Sequence, residues 1–145
     1  IGDRIALMNK GRVVEFGDPQ LIYRRPESLF AARFFCEMNE LTGWAHRGRI
    51  ETPLGTFSSA EMPDGEAVVC IRPQGIHLKP AGEGLPGRIV AHRFVGEVGL
   101  LEIAMPGLDE PMLARLPEPV NRKEGEDVGV EIDPAEVLVF AASRP

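Results

Sequence analysis

The chain has 145 residues, of which 43% are apolar and 6% aromatic, and its formal net charge is −6 at pH 7. Such a length fits one ordinary domain or two very small ones, and it excludes a large multidomain enzyme. Glycine and proline together make up about a fifth of the chain, which is typical of a turn-rich globular protein and not of a disordered tail or a helical bundle.

Charge and cysteine content restrict the partners and the compartment. Residues 1–50 carry a net charge of +2, whereas residues 51–145 carry −8. We expect no nucleic-acid partner, because binding to nucleic acid depends on neutralising phosphates. The two cysteines, Cys36 and Cys70, are too widely spaced for a CxxC pair and too few for a disulfide framework, which favours a reduced, cytosolic setting.

The chain begins with Ile1 and shows no leader with a charged region followed by an apolar one. It contains no apolar run approaching the roughly 20 residues that span a bilayer. Because an initiator methionine is also missing, we expect the chain to be a piece of a longer protein.

The first predicted element is a β-hairpin. Residues 4–8 and 12–16 are predicted strands, and Asn9-Lys10-Gly11 between them supplies the positive-φ positions of a tight turn. A two-stranded hairpin is only marginally stable by itself, so we expect it to need a larger sheet or a partner chain.

Two short helices follow. Asp18 is a predicted N-cap with Pro19 in the first turn, and this helix ends before Pro26. A second helix begins at about Ser28, with apolar residues spaced so as to bury most of its surface. Two strands and two helices are too few to bury a core of their own, so we interpret residues 1–38 as the end of a preceding domain.

The remaining sequence, residues 39–145, predicts an all-β domain. Short apolar stretches with a period near two are separated by turn residues at roughly every eight to twelve positions. The predicted strands are residues 42–46, 49–52, 67–72, 77–79, 87–95, 100–104, 112–116, 127–132 and 137–141.

Motifs that carry chemistry are missing from this sequence. No glycine is followed by lysine, so no Walker A phosphate loop is present. Gly82, Gly84 and Gly87 match G-x-G-x-x-G, but they lie in a proline-rich connection that runs into a strand, whereas a dinucleotide loop follows a strand and opens a helix. We therefore nominate no catalytic and no cofactor-binding residue.

Histidine and cysteine give no metal site either. His46, His77 and His92 have no partner at i+4 and lie in no HExxH sequence, so we expect them to be solvent-facing strand residues and name no metal ligand. Cys36 has apolar neighbours and is interpreted as a small buried hydrophobic residue.

The opening stretch carries a resemblance to a known family. Five stretches closely resemble the end of the nucleotide-binding domain in ABC importer ATPases. They are Asp-Arg-Ile-Ala-Leu-Met-Asn-Lys-Gly-Arg-Val at residues 3–13, Gly-Asp-Pro-Gln-Leu-Ile-Tyr at 17–23, Arg25-Pro26, Phe-Ala-Ala-Arg-Phe-Phe at 30–35 and Met38-Asn39. In that family the stretch follows the switch histidine and leads into a C-terminal transport-associated OB (TOBE) domain of the maltose, polyamine and ferric-iron importer type.

The second part agrees with this resemblance. Ile-Arg-Pro-Gln-Gly at residues 71–75 resembles the family's Ile-Arg-Pro-Glu motif, with Gln74 at the usual acidic position, and Phe94-Val95-Gly96 resembles its Phe-Leu-Gly. The Gln74 departure puts in doubt any charge-dependent contact at that position. The resemblance implies a mainly β fold, an OB-fold-like (TOBE) β-barrel over residues 39–145, preceded by the hairpin and two helices. The candidate interface or regulatory residues are Arg72, Gln74, Phe94 and Gly96.

For function, the resemblance implies that the Walker motifs, the signature sequence, the switch histidine and bound ATP and Mg²⁺ lie upstream of this chain. The fragment itself would be non-catalytic and hold no cofactor, and it would serve regulation and dimerisation in a subunit that powers import by ATP hydrolysis. Its partners would be a second copy of itself and, through the missing domain, transmembrane permease subunits. The subunit would be cytoplasmic and peripheral on the inner face of the bacterial plasma membrane, with ferric iron favoured as the cargo and polyamine next.

A second interpretation is a TOBE module that binds a small oxyanion. Such a site needs arginine and backbone N–H groups that converge at a subunit interface. Arg72, Arg88 and Arg93 are the candidate donors.

Overall fold

The structure is a computed structural model that describes residues 4–142. The elements in chain order are β1 (Ile5–Asn9), β2 (Arg12–Gly17), α1 (Pro19–Arg24), α2 (Leu29–Phe35), β3 (Asn39–His46), β4 (Arg49–Thr52), β5 (Gly55–Ser58), β6 (Gly65–Ile71), β7 (Ile76–Lys79), β8 (Leu85–Val95), β9 (Val98–Ala104), β10 (Met112–Pro117), β11 (Asp127–Ile132) and β12 (Val137–Ala141). Two short 3-10 segments, Pro73–Gly75 and Pro134–Glu136, precede β7 and β12. We call residues 4–36 the N-terminal unit and residues 39–142 the β domain.

The N-terminal unit is the predicted hairpin followed by two helices. Strands β1 and β2 pair antiparallel, and Lys10 and Gly11 in the turn between them both have positive φ, as predicted. The Asp18 carboxylate accepts a hydrogen bond from the Gln20 N–H at 2.8 Å and caps α1. The Ser28 hydroxyl accepts from the Ala31 N–H at 3.0 Å and caps α2. Both predicted helix starts are therefore confirmed.

The core of this unit is small. Its fully buried apolar cluster consists of Leu7, Ile22 and Ala31, with Ile5, Phe30 and Phe35 packed against it. A cluster of this size stabilises little structure by itself.

The β domain is built from two five-stranded antiparallel sheets. One has the strand order β12-β6-β3-β4-β5, and the other has the order β10-β9-β8-β11-β7. Along β3 the residues alternate, with Leu41, Gly43 and Ala45 buried and the residues between them exposed. Such alternation places one face of each sheet against a shared core. The largest fully buried side chains of that core are Ile50, Val69, Ile71, Ile76, Ile89, Leu101, Ile103, Met112, Val128 and Val130.

The mainly β prediction is confirmed, and each predicted strand is present within a few residues of its expected bounds. The prediction missed β5. That strand contains one apolar residue, Phe57, which lies opposite the buried Ile50 of β4. Its strand conformation follows from pairing with β4, which local alternation does not reveal.

Asn39 connects the two sheets. Its backbone pairs with Ile71 of β6, while its side-chain amide faces β10 of the other sheet. The amide nitrogen donates to the Leu113 carbonyl at 2.9 Å and to the Ile71 carbonyl at 3.2 Å, and the amide oxygen accepts from the Leu113 N–H at 2.8 Å. The Asn39 amide thus gives edge strand β10 the N–H donor and the C=O acceptor that the backbone of a neighbouring strand would otherwise provide.

Replacing Asn39 by alanine removes these three hydrogen bonds at once. We expect the free energy of unfolding to fall by about 2 to 3 kcal/mol, since each bond contributes about 1 kcal/mol net. Urea unfolding followed by the fluorescence of Trp44, the single tryptophan, measures this loss. Thr42→Ala, at an exposed position of the same strand, is the matched control and should stay near the wild-type midpoint. Equal midpoints for both variants would contradict the role assigned to Asn39.

Candidate functional site

The side chain of Arg72 reaches from the β domain into the N-terminal unit. Arg72 follows the last residue of β6 and immediately precedes the 3-10 segment Pro73–Gly75. Its side chain is only 8% exposed. A buried guanidinium is costly unless hydrogen-bond acceptors surround it, so its partners define what this position does.

Most of these partners lie at the C-terminal end of α1. The Arg72 Nη2 donates to the carbonyl oxygens of Tyr23 at 2.9 Å and of Arg24 at 3.0 Å. These are the last two residues of α1. Carbonyl oxygens at this end of a helix accept no hydrogen bond from within the helix, and they attract a cation. The guanidinium carbon also lies 5.3 Å from the centroid of the Tyr23 ring, within range of a cation–π interaction. Arg72 therefore caps α1 from the other domain.

Cys36 and Glu136 complete the surroundings of the guanidinium. The Nη1 donates to the Cys36 sulfur at 3.5 Å, and the Nε lies 3.6 Å from the Glu136 Oε1. Among the described residues no buried side-chain nitrogen or oxygen lacks a hydrogen-bond partner, so the charge of Arg72 is accommodated within the chain. We call this set of contacts the Arg72 joint.

The backbone around Arg72 is held by the segment Pro134–Glu136. The Arg72 N–H donates to the Glu136 carbonyl at 3.0 Å, and the Asp133 N–H donates to the Gly75 carbonyl at 2.9 Å. A Cβ at position 75 would overlap the Glu136 Cβ, so glycine is what lets the two 3-10 segments approach. These contacts hold in place the backbone from which the Arg72 side chain projects.

A second contact crosses from α2 to β3. Arg33 donates to both carboxylate oxygens of Glu40, each at 2.8 Å, and this hydrogen bonding raises the pKa of Arg33. The pair is largely exposed, and exposed ion pairs contribute about 1 kcal/mol or less. It supports the placement of the two parts but is weaker than the buried Arg72 joint.

The two thiols differ in environment. Cys36 was expected to be a buried hydrophobic residue, but it is partly exposed and its sulfur contacts Arg72 and the Tyr23 carbonyl. Cys70 is buried in β6, and burial, reinforced by the nearby Glu40 charge, raises its pKa to about 12. Cys36 is therefore the accessible thiol of the joint.

The structure does not gather the four candidate interface residues at one place. Arg72 forms the joint, and Gln74 is exposed on the 3-10 segment beside it. Phe94 and Gly96 lie at the tip of the hairpin formed by β8 and β9, which we call the arm. Phe94 is 74% exposed, and Gly96 has a φ of +69°, which the arm's turn requires.

His92 differs from its expected solvent-facing position. Its side chain is 15% exposed, and its Nε2 lies 3.0 Å from the Oε2 of Glu118, itself 13% exposed. A register shift between Ile89 and Ala91 causes this difference, because it reverses the alternation along β8 and places His92 opposite the buried Leu101. The expectation was wrong because a bulge cannot be read from alternation. His46, beside Asp64, and His77 are exposed, as expected.

The three arginines proposed as oxyanion donors all have partners within the chain. Arg72 is directed at α1, which removes it from an open anion site. The Nε of Arg88 donates to Asp127 at 2.9 Å, a bond that raises the pKa of Arg88, and Arg93 lies 3.9 Å from Glu102.

Among residues 4–142, no group of three or more histidine, cysteine, aspartate or glutamate side chains is arranged to hold a metal ion. None of the helices in this range combines the length and apolar character that crossing a bilayer would require.

Comparison with known proteins places the chain among relatives. Residues 69–140 match the family model of the TOBE domain. A Fe(3+) ions import ATP-binding protein of Streptomyces coelicolor is 33% identical over 99% of this chain and 41% of its own length. A sulfate/thiosulfate import ATP-binding protein of Bordetella parapertussis is 32% identical over 97% of this chain and 42% of its own length. The chain thus contains a TOBE domain and spans about two fifths of the length of the curated relatives it matches.

A solved structure supports the fold assignment. The cytoplasmic molybdate-binding protein ModG superimposes with a TM-score of 0.57, covering 71% of this chain and 95% of its own, at 13% sequence identity. At this identity the likeness concerns the fold, and it agrees with the predicted OB-like architecture.

The environments of the thiols lead to a test. At pH 8 a thiol with a pKa of about 12 is ionised in only about one molecule in ten thousand. We therefore expect one thiol per folded chain to react with a disulfide reagent, and Cys36→Ser to abolish that reaction while Cys70→Ser preserves it. The absorbance of the released thiolate counts the reactive groups. Two equally fast thiols in the folded wild type would contradict this assignment.

Proposed function

We propose that this chain is the non-catalytic C-terminal region of the ATP-binding subunit of an ABC importer. The observation that supports this most is the extent of the two alignments, which cover 99% and 97% of the chain. They therefore run through the N-terminal unit as well as the TOBE domain. An isolated β domain would align over the second part alone.

The surface of the N-terminal unit supports a missing neighbour. Met8, Val13, Phe16, Leu21 and Phe34 are all large apolar residues with more than half of their surface exposed. Met8, Val13 and Phe16 belong to the two-stranded sheet, and a two-stranded sheet by itself is marginal in water. In the proposed subunit, the rest of the nucleotide-binding domain would cover these exposed side chains and supply the groups that bind ATP and Mg²⁺. Contact with the permease subunits would also be made through that domain.

The β domain would serve regulation and pairing with a second copy. The arm presents the exposed apolar side chains of Phe94 and Val95 at its tip. Covering apolar surface is favourable by roughly 25 cal/mol per Å². The subunit would act in the cytoplasm, peripheral to the inner face of a bacterial plasma membrane.

The proposed cargo is ferric iron. The Streptomyces relative is named for Fe(3+) import, which agrees with the resemblance of the sequence to ferric-iron members, where polyamine members come next. Sulfate or thiosulfate import is the competing assignment, because the Bordetella relative is named for it. In this scheme the ATP-binding subunit does not contact the cargo, so no residue of the chain encodes the choice.

Oxyanion binding by the TOBE domain is the other class of function. The fold likeness to a molybdate-binding protein is compatible with it. The engagement of Arg72 with α1 speaks against it, because the best-buried donor is already satisfied. We therefore keep the mechanical and regulatory role as the proposal.

The genomic sequence before Ile1 tests the subunit assignment. It should encode, in order, a Walker A motif, a signature motif and a switch histidine in the same reading frame. Deletion of the gene should then abolish most uptake of radioactive ferric iron and leave sulfate and spermidine uptake unchanged. An upstream sequence without these motifs would overturn the subunit proposal. Lost sulfate or spermidine uptake with normal iron uptake would overturn only the choice of cargo.

Light scattering tests pairing through the arm. At micromolar concentration we expect a mass of about twice that of the chain, because apolar surface is exposed on the arm. Phe94→Ser should shift the mass toward the monomer. Phe16→Ser is the matched control, since Phe16 is also exposed but belongs to the N-terminal unit. A monomeric wild type, or association that only Phe16→Ser reduces, would contradict the assignment of pairing to the arm.

A further inference from the structure

We infer that Arg72 is a positioning residue that locks the β domain in one orientation on the N-terminal unit, so that the two move as a single body. For transport this inference rests on the proposed function, because movement of an ATPase domain would then reach the β domain through Arg72. The structural part of the inference stands on the contacts of this chain alone.

The covalent connection cannot fix that orientation. Helix α2 ends at Phe35 and β3 begins at Asn39, which leaves three residues between them. Each residue of an irregular connection has two soft backbone dihedrals, so such a segment permits many relative orientations. Side-chain contacts across the joint must select one of them.

Arg72 is the strongest of the contacts that can do so. Its side chain is 8% exposed, whereas that of Arg33, in the pair with Glu40, is 56% exposed. Arg115 and Glu37 approach to 3.8 Å and are both largely exposed. Hydrogen bonds to a charged, buried donor contribute more than exposed ion pairs, and their directions are fixed by the planar guanidinium. Orientation therefore depends mainly on Arg72.

Both ends of this contact are anchored to the bodies they join. On the β-domain side, the two 3-10 segments hold the backbone of Arg72 through its N–H bond to Glu136 and through the close approach at Gly75. On the other side, α1 packs through the buried Ile22 into the cluster of the N-terminal unit. A rotation of either body thus requires the hydrogen bonds from Arg72 to α1 to break.

The joint also has a built-in reporter. Cys36 lies in the connection and its sulfur accepts from Arg72, while Cys70 is buried and its pKa is raised to about 12. Cys36 is partly exposed and reacts in the closed joint too, but its sulfur becomes fully exposed only when Arg72 leaves it, so its labelling rate rises as the joint opens, without interference from Cys70.

The test compares Arg72→Met and Arg72→Lys with the wild-type chain. Methionine preserves length and apolar character but donates no hydrogen bond, whereas lysine keeps the charge and can reach one carbonyl. We expect Arg72→Met to accelerate Cys36 labelling by a few-fold, and by less than an order of magnitude because the thiol is already partly exposed in the wild type, and Arg72→Lys to lie between it and the wild type. Gln74→Ala, at the exposed neighbouring position, should label at the wild-type rate.

Residual dipolar couplings separate positioning from a general loss of structure. In the wild type one alignment tensor should fit the amides of both the N-terminal unit and the β domain. In Arg72→Met the two parts should need separate tensors, while the couplings within each part still fit its own structure.

Separate tensors with intact parts support the inference. One shared tensor in Arg72→Met, or a wild-type labelling rate, overturns it. If Arg72→Met does not fold, Arg72→Lys is measured in the same way, and an unchanged tensor and rate in that variant overturn the inference too. None of these outcomes depends on the chain being part of an importer.

Discussion

A buried guanidinium has to be surrounded by acceptors, and this requirement organises the molecule around Arg72. The β domain supplies one carboxylate, that of Glu136, at 3.6 Å. The shorter bonds, at 2.9 and 3.0 Å, go to the carbonyl oxygens of Tyr23 and Arg24 in the N-terminal unit. The β domain alone would leave most of the arginine N–H groups without protein partners. The surroundings of this charge are thus completed only when α1 is docked, which makes the N-terminal unit part of the structure of the β domain.

The five residues at positions 71–75 can be understood as one local solution to this requirement. Ile71 is fully buried in the core and fixes the end of β6. Arg72 turns toward α1, Pro73 favours the 3-10 turn that follows, and Gly75 leaves space for Glu136. Gln74 alone points to solvent. An acidic residue or a glutamine at position 74 therefore meets no packing obstacle in this fold.

The sequence predicts what depends on neighbouring residues and misses what depends on distant ones. Alternation and turn residues identified the long strands, the predicted cap Asp18 located the first helix, and the spacing of apolar residues after Ser28 located the second, because these signals are local. The partners of Arg72 lie 48 and 49 residues away, so no spacing rule connects them. The inward turn of His92 depends on a bulge that only the pairing of β8 with β9 reveals. The resemblance named Arg72 as a candidate interface or regulatory residue but did not say what it contacts.

The distribution of exposed apolar residues explains why a rigid joint matters in a chain for which we nominate no catalytic group. One set, including Phe16 and Phe34, lies on the N-terminal unit, and another, Phe94 and Val95, lies on the arm of the β domain. If another molecule covers each set, a displacement of one such molecule reaches the other through this chain. With a loose connection of three residues that displacement would be lost in rotation of the backbone. With Arg72 hydrogen-bonded to α1 it would be transmitted, and under the proposed function the chain would contribute the geometry that it imposes on its neighbours.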